Sequence, residues 1–460
     1  MKRAGAAAVR AARDRFPDAR RWQVICGAGN NGGDGYVVAR LAAHDGIVVS
    51  VLTLAATESL RGDSATAYAD FAAEGGVVMP WAGDLDAEAE LLVDAILGNG
   101  IGRDVGAEFA QAVAAINAHS ANVHALDIAT GINGDTGAVM GSAVVADLTT
   151  TFVGLKSGLF LGAGPNHCGE ITFADLDIGD DCRASIPAIY ERLHDDLLLE
   201  SLPRRARGAH KGDFGHVLVV GGGPGMPGAA RLCGEAALRA GAGRVSIATH
   251  PEHAALVTAA RPELMSHGVA GAADLGKLLE TADVVAFGPG LGQSDWSREL
   301  YTVVAESTRP SVWDADALNL LATMPEASDK RVITPHPGEA ANLLGISSTL
   351  IQADRPAALD ALAAKYGGMV VLKGAGTLIS SPRGVPRVCT SGNPGMAAAG
   401  MGDLLTGVIA ALLAQGLSQS VAAAAGVELH ARAGDVAATA GERGMLASDL
   451  LGALRGVANP

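Results

Sequence analysis

The sequence predicts two successive α/β domains, an N-terminal open-sheet domain followed by a second α/β domain. Three observations carry that prediction. Short apolar runs of strand length alternate with helical patterns, the signature of sheets flanked by helices. Glycine-rich segments recur where those runs end, within a total of 61 glycines against 19 prolines. The alternation breaks once, near residues 194–208, and then resumes. A length of 460 residues agrees with this, since one domain takes about 100–200 residues.

The elements follow in order. Residues 22–26 read as a strand running into GAGNNGGDG, and 36–43 as a helix. Further strands are expected at 47–54, 91–96, 123–128, 149–153 and 170–173, with helices at 65–73 and 109–118. The start, MKRAGAAAVRAARDRF, is basic and lacks the apolar stretch of a secretory signal. It reads as a first surface helix, with an arginine-rich transit peptide as the alternative. HDDLLLESLPRRARGAH combines a charge run with a proline and no strand pattern. Residues 191–209 are therefore expected to link domains 1–190 and 210–460. Beyond them, strands are expected at 216–220, 244–249, 283–287, 311–313, 331–334 and 369–372, and a helix at 229–240. The C-terminal third, rich in Ala, Leu and Gly, reads as packed helices. No fixed period relates the halves, so no internal repeat is expected.

Composition excludes several classes. Hydrophobic residues make up 49% and charged residues 18%, which rules out a disordered chain or a coiled coil. The net charge of −15 makes a poor general binder of nucleic acid or anionic membrane. No apolar run reaches the roughly 18–20 residues of a membrane helix. The five cysteines, Cys26, Cys168, Cys182, Cys233 and Cys389, are odd in number and form no C-x-x-C pair. They fit a cytoplasmic location better than a disulfide framework or a zinc site.

Glycine marks backbone that bends sharply or approaches a ligand closely. In the first half, GAGNNGGDG lies between a strand and a helix, where open α/β sheets bind ligands. Amides at a helix start favour phosphate, and Asn30, Asn31 and Asp34 add polar side chains that a plain turn does not need. Asp94 closes LLVDAILG before GNGIGRD, and Asp127 closes VHALDIATG. Asn31, Asp94 and Thr130 offer hard oxygen donors from three loops at one sheet edge, which suits a hard cation. Each Asp taken singly also reads as a helix or turn cap.

The set GxGNNGGDG, DAILGNG, LDIATGINGDTG and TFVGLKSGL resembles the NAD(P)H-hydrate epimerase domain over about residues 1–185. The resemblance implies a Rossmann-like domain that binds a hydrated nicotinamide cofactor and K+. It implies that Asn31, Asp94 and Thr130 hold the potassium. It places the substrate on Asn30, Asn31, Gly32, Gly33 and Asp34, and on Gly98, Asn99, Gly100, Ile101, Gly102, Arg103 and Asp104. Asp127 becomes the acid/base beside the hydrated ring, and Lys156 its partner. Two departures stand out. Ala129 occupies the family's proline position in D-[IV]-P-[ST]-G. The M-x-R-A-G segment, which a helix normally precedes, here is Met1–Gly5.

The second half carries NPGMAAAGMGDLLTGVIAALL, a glycine turn entering a helix with Asp403 at its start. Amides of Gly400–Gly402 facing an anion, beside a base, are what phosphoryl transfer requires. A plain N-cap role for Asp403 is the alternative. VVLKGAGTLI offers amides and Lys373 to nucleotide phosphates, or forms only a β-hairpin with a surface lysine. TPHPGEAANLL places His336 and Glu339 at a strand-to-helix passage, and GPGLG ends another strand. WDADALNLL puts Asp314 and Asp316 at a strand end, to organise magnesium or to cap the next helix.

HKGDFGHVLVVGG, GEAALRAGAG, GPGLG, WDADALNLL, ITPHPGEA, VVLKGAGT and GMAAAGMGDLLTG occur in that order from about Lys211 onward. Together they resemble the ribokinase-like fold and, within it, the ADP-dependent NAD(P)H-hydrate dehydratase domain. The resemblance implies that Ala229, Gly290 and His336 contact the hydrated cofactor. It puts the adenine nucleotide on Lys373, Gly374, Ala375, Gly376, Thr377 and Gly402, with Asp403 as base. ADP is the implied co-substrate, with Mg2+, and a homo-oligomer the implied assembly. A ribokinase-like small-molecule kinase, and a nucleotide sensor with an inactive first domain, are the competing readings.

Overall fold

A computed structural model describes residues 1–179, 182, 185–259, 261–382 and 384–460. The chain forms two compact units, Met1–Pro187 and Ala188–Pro460.

The first unit is a parallel sheet of seven strands: β1 Arg21–Cys26, β2 Val48–Thr53, β3 Val78–Pro80, β4 Leu91–Ala95, β5 Asn122–Leu126, β6 Leu148–Phe152 and β7 Glu170–Ala174. Their order is β3-β2-β1-β4-β5-β6-β7, and every pairing is parallel. Such a sheet must be covered on both faces, and β1 and β4 are correspondingly apolar and buried. The N-terminal segment is indeed a helix, Lys2–Arg15, and its Ala4, Ala8, Val9 and Ala12 join the core. β3 escaped the sequence reading because it is only three residues long and partly exposed.

The second unit is a ten-stranded mixed sheet. It comprises β8 Glu191–Arg192, β9 His216–Val220, β10 Arg244–Thr249, β11 Met265–Gly268, β12 Val284–Phe287, β13 Ser311–Trp313, β14 Arg331–Ile333, β15 Met369–Leu372, β16 Thr377–Ile379 and β17 Arg387–Cys389. The order is β11-β10-β9-β12-β13-β14-β15-β16-β17-β8. From β11 to β15 the pairs are parallel; β15–β16 and β16–β17 are antiparallel. Helices 401–414, 419–438 and 447–457 pack as a layer whose side chains join the sheet's core.

The segment 191–209, expected as a linker, corrects the sequence reading in its first part. Glu191–Arg192 pairs in parallel with β17, and helix Leu197–Ser201 buries Leu197 and Leu198 in the second unit's core. Leu193 and the first two leucines of LLL dock it, while Leu199 faces solvent. The strand order reverses between β1 and β4 in the first sheet and between β9 and β12 in the second, where β8 is also added beyond β17. Ligands of open α/β sheets bind at such switch points, beyond the carboxyl ends of the strands.

Candidate active site

At the first switch point the glycine-rich segment divides into two parts. Gly27–Gly29 form the turn after β1, and the helix already begins at Asn30 (Asn30–His44) rather than at Tyr36. Glycine is unfavourable inside a helix by about 1 kcal/mol relative to alanine. Here close packing demands it: a Cβ on Gly32 would collide with the Gly27 carbonyl, and one on Gly35 would lie 2.6 Å from Ala95 Cβ. The helix start is thereby drawn against β1 and β4.

Asp94 and Thr130 meet there, and Asn31 lies against Gly98, four residues after Asp94. Asp94 is fully buried, and its oxygens accept from Thr130 N (2.8 Å), Thr130 Oγ1 (2.7 Å) and Ile96 N (3.2 Å). Burial pushes its carboxyl up to about 6 against those hydrogen bonds, and among the described residues no basic group counters it. The Asn31 carboxamide is buried with neither Oδ1 nor Nδ2 hydrogen-bonded. Among the described residues a buried carboxylate without a basic partner and an orphaned carbonyl oxygen at this sheet edge fit the donor chemistry of a hard monovalent cation.

Asp127 follows β5 in the left-handed region, φ 68°, a backbone cost that structures retain at functional sites. Its Oδ1 accepts from Phe152 N (3.3 Å) and from Lys156 Nζ, which also donates to Phe152 O (2.8 Å) and Thr151 Oγ1 (3.1 Å). The ion pair is largely buried on both sides. Burial pushes the Asp34 carboxyl up to about 7, with the N-terminal amine opposing and Asp127 adding to the shift. Residues 98–104 form the loop after β4. It lies on the segment after β5, through Asn133 Nδ2 donating to Ile101 O (3.1 Å) and Val105 N to Met140 O (3.1 Å). Gly98 lies against Asn31, whereas Arg103 and Asp104 are exposed. Ala129 is fully buried in the proline position, so its side chain packs as core.

The second constellation lies beyond β13, β14 and β15. Gly400 takes φ 89° and caps helix Met401–Ala414, whose third residue is Asp403. Asp314, at the end of β13, receives Lys373 Nζ at 2.5 Å and Thr406 Oγ1 at 3.0 Å. Glu339 lies 3.6 Å from the same ammonium. A Cβ on Gly402 would fall 3.0 Å from Asp314 Oδ2 and 3.1 Å from Lys373 Nζ. Glycine therefore lets the helix start close over this ion pair. Burial pushes Asp403 up to about 7, with Asp314, Asp316 and Glu339 adding and Lys373 opposing. Burial works against the Lys373 charge, but Asp314 and Glu339 hold the ammonium above its ordinary value.

His336 caps helix Pro337–Leu344. Its Nδ1 accepts from the Gly338 and Glu339 amides (2.9 and 3.2 Å), and Glu339 Oε2 accepts from His336 N (2.7 Å). The imidazole itself is exposed. Ala229 and Gly290 sit together: a Cβ on Gly290 would be 3.0 Å from Ala229 Cβ. Gly223 N donates to Gly290 O (2.7 Å), joining the loops at the second switch point. Lys373–Thr377 form the tight turn of the β15–β16 hairpin. The hairpin alternative is right for the backbone, but Lys373 is an engaged, largely buried group rather than a surface lysine.

Asp314 is committed to Lys373 and Thr406, and Asp316 accepts from Gly292 N at 2.8 Å. Among the described residues no three His, Cys, Asp or Glu side chains converge as a metal site. Sequence reasoning missed Thr406, three residues after Asp403 in GDLLTG, and the buried Arg355 below the Lys373–Thr377 turn.

Comparison with known proteins matches both units. Residues 217–455 match the family described as NAD(P)H-hydrate dehydratase, and residues 1–158 the YjeF-related protein N-terminus. The bifunctional NAD(P)H-hydrate repair enzyme of Coxiella burnetii is 47% identical over 100% of this chain and 94% of its own. That of Escherichia coli is 44% identical over 100% and 89%. Among solved structures, an ADP/ATP-dependent NAD(P)H-hydrate dehydratase from Bacillus subtilis, co-crystallised with ATP/Mg2+, is 29% identical with a TM-score of 0.53. It covers 58% of this chain and 97% of that one. A ribokinase-like superfamily protein from Enterococcus faecalis is 30% identical with a TM-score of 0.55, covering 59% and 96%. With both halves matched and near-complete alignment to such enzymes, the chain belongs to the family of bifunctional NAD(P)H-hydrate repair enzymes.

Proposed function

We propose that the second unit dehydrates the S form of NADH- and NADPH-hydrate at the expense of ADP, and that the first unit interconverts the R and S forms. The observation that carries this is Asp403. It stands at a glycine-capped helix start, beside a buried Lys373–Asp314 pair, with its carboxyl raised to about 7. A base poised near the working pH is what hydroxyl activation needs.

Hydroxide is a poor leaving group. Asp403 takes the proton of the ring hydroxyl as its oxygen bonds to the terminal phosphorus of ADP and the bond to AMP breaks. The ring nitrogen then expels inorganic phosphate. Loss of a proton from the adjacent ring carbon restores the reduced nicotinamide. The Gly402 amide, the Lys373 ammonium and the Gly374–Thr377 turn hold the nucleotide phosphates; Ala229, Gly290 and His336 hold the hydrated cofactor. Mg2+ bound with the nucleotide would neutralise its phosphate oxygens beside Lys373 and Gly402.

In the first unit Asp127, with Lys156 donating to it, is the acid/base: it gives a proton to the hydroxyl as the ring nitrogen expels it as water, and takes one back as water re-adds to the opposite face of that carbon. Asn30–Asp34 and Gly98–Asp104 bind the substrate. Asn31, Asp94 and Thr130 would hold K+, whose positive charge would neutralise the buried Asp94 and orient the substrate's polar groups. The five free cysteines support a cytoplasmic location, and among the described residues no helix is long and apolar enough to cross a membrane. We read the assembly as a homo-oligomer.

Incubation of the full chain with ADP and hydrated NADH tests the dehydratase reading. Absorbance at the reduced-nicotinamide band should recover, with one AMP and one phosphate per NADH. A stable phosphorylated product without that recovery would support a small-molecule kinase instead.

A further inference from the structure

We infer that Arg355 is a positioning residue of the nucleotide site, holding the Lys373–Thr377 turn so that its glycine amides face the phosphates. The inference rests on the reading that this turn binds the nucleotide.

Arg355 opens helix Arg355–Tyr366 and is only 2% exposed. Its guanidinium donates to three carbonyls of the turn and its approach: Leu372 O (3.1 Å), Lys373 O (3.2 Å) and Ala375 O. In a planar trans peptide the C=O and the following N–H point in opposite directions. Drawing the Lys373 and Ala375 carbonyls inward therefore turns the Gly374 and Gly376 amides outward. Both glycines have positive φ, 140° and 63°, as this alternation of peptide planes requires. The Lys373 amide is held separately, donating to Pro335 O at 2.9 Å. Neither the Gly374 nor the Gly376 amide donates to another described residue. Two fanned, solvent-facing amides beside an ammonium make an anion-binding concavity.

The charge beneath the turn is unusual in itself. A Cβ on Gly374 would lie 3.0 Å from the guanidinium, so no side chain separates Arg355 from the turn's outer face. Buried charges are normally paired, yet among the described residues no carboxylate acts on Arg355, and its Nε has no hydrogen-bond partner. Burial lowers its basicity only to about 10, so it stays charged at neutral pH. An arriving phosphate group supplies the missing negative charge across the thickness of one turn. Nothing in the local sequence marks this, since Arg355 lies 17–20 residues before its carbonyl partners.

The test uses the full chain, with steady-state kinetics in ADP and in S-NADH-hydrate separately. Arg355→Gln removes the charge and the fork. Losing charge-assisted hydrogen bonds should raise KM for ADP by about tenfold or more while leaving KM for the hydrate within about twofold. Arg355→Lys keeps the charge but not the three-carbonyl fork, and should raise it by an intermediate factor at an unchanged melting temperature. An ADP KM within about twofold of wild type in Arg355→Gln would overturn the inference. Should Arg355→Gln not fold, an unchanged ADP KM in Arg355→Lys would overturn it equally. Hydrogen exchange of peptide 369–380 in the wild type separates the two layers. If ADP gives no protection there, the nucleotide reading of the turn fails. Protection with an unmoved ADP KM in the variants defeats the role of Arg355 alone.

Discussion

Asp403 lies in a field of other carboxylates, Asp314, Asp316 and Glu339, with Lys373 as the opposing charge. The same field that makes it a base near neutrality makes its ionisation costly. The sign is definite. Its folded pKa, about 7, is above the ordinary aspartate value of about 3.9. Between those values the folded state holds a proton that the unfolded state has lost, so stability falls as pH rises. Asp403→Asn is therefore expected to abolish dehydration yet stabilise the second unit at pH 8, by on the order of 2 kcal/mol, with little gain at pH 4. Denaturant unfolding at the two pH values checks this; equal stability changes at both would contradict it. Catalysis should depend on pH in the opposite sense. Dehydratase kcat/KM is expected to rise through about pH 7 as Asp403 ionises. At this scale Asp403, Lys373, Asp94 and Asn31 were legible because polar residues beside glycines at strand ends have few structural duties. Arg355 and Thr406 were not, because their roles depend on partners supplied by folding. Thr406 bonds Asp314, 92 residues away.

Among elements, helix Pro227–Arg239 packs directly against helix Met401–Ala414, which carries Asp403. A Cβ on Gly407 would collide with the Cys233 carbonyl. Gly407→Ala should force the helices apart and destabilise the second unit by about 1–3 kcal/mol. Gly452, exposed in helix Ala447–Val457, has nothing within 4 Å of such a Cβ. Gly452→Ala should stabilise by about 0.5–1 kcal/mol, since it relieves only chain entropy. Thermal unfolding of the two variants should move in opposite directions. Most central strands were legible from their apolar runs and following glycines. The short edge strands β3, β8 and β11 were not, because few of their residues are buried on both faces. The helix after β1 was placed six residues late because its opening NNGGDG reads as a loop until its packing partners are known.

At the scale of the whole molecule, the charge-rich stretch after residue 190 has a structural role that composition concealed. Leu193, Leu197 and Leu198 are buried in the second unit, and burying a leucine is worth about 1.5–3 kcal/mol. A fragment 188–460 should fold cooperatively and retain dehydratase activity. A fragment 210–460 should melt several degrees lower or aggregate, and equal melting temperatures would show that β8 and its helix are dispensable. The two-domain α/β plan itself was legible from alternation and glycine placement. The boundary was not, because LLL sits amid charges and a proline that resemble a linker.

The central claim is a division of labour, S-specific dehydration by one unit and epimerisation by the other. Separated R- and S-NADH-hydrate, each supplied with ADP, test it most directly with the wild type, Asp403→Asn and Asp127→Asn. The wild type is predicted to convert both forms to NADH. Asp127→Asn should convert the S form normally and the R form only at the uncatalysed rate of epimerisation. Asp403→Asn should form no NADH from either but still equilibrate them. Rapid conversion of the R form by Asp127→Asn, or NADH formation by Asp403→Asn, would contradict the account.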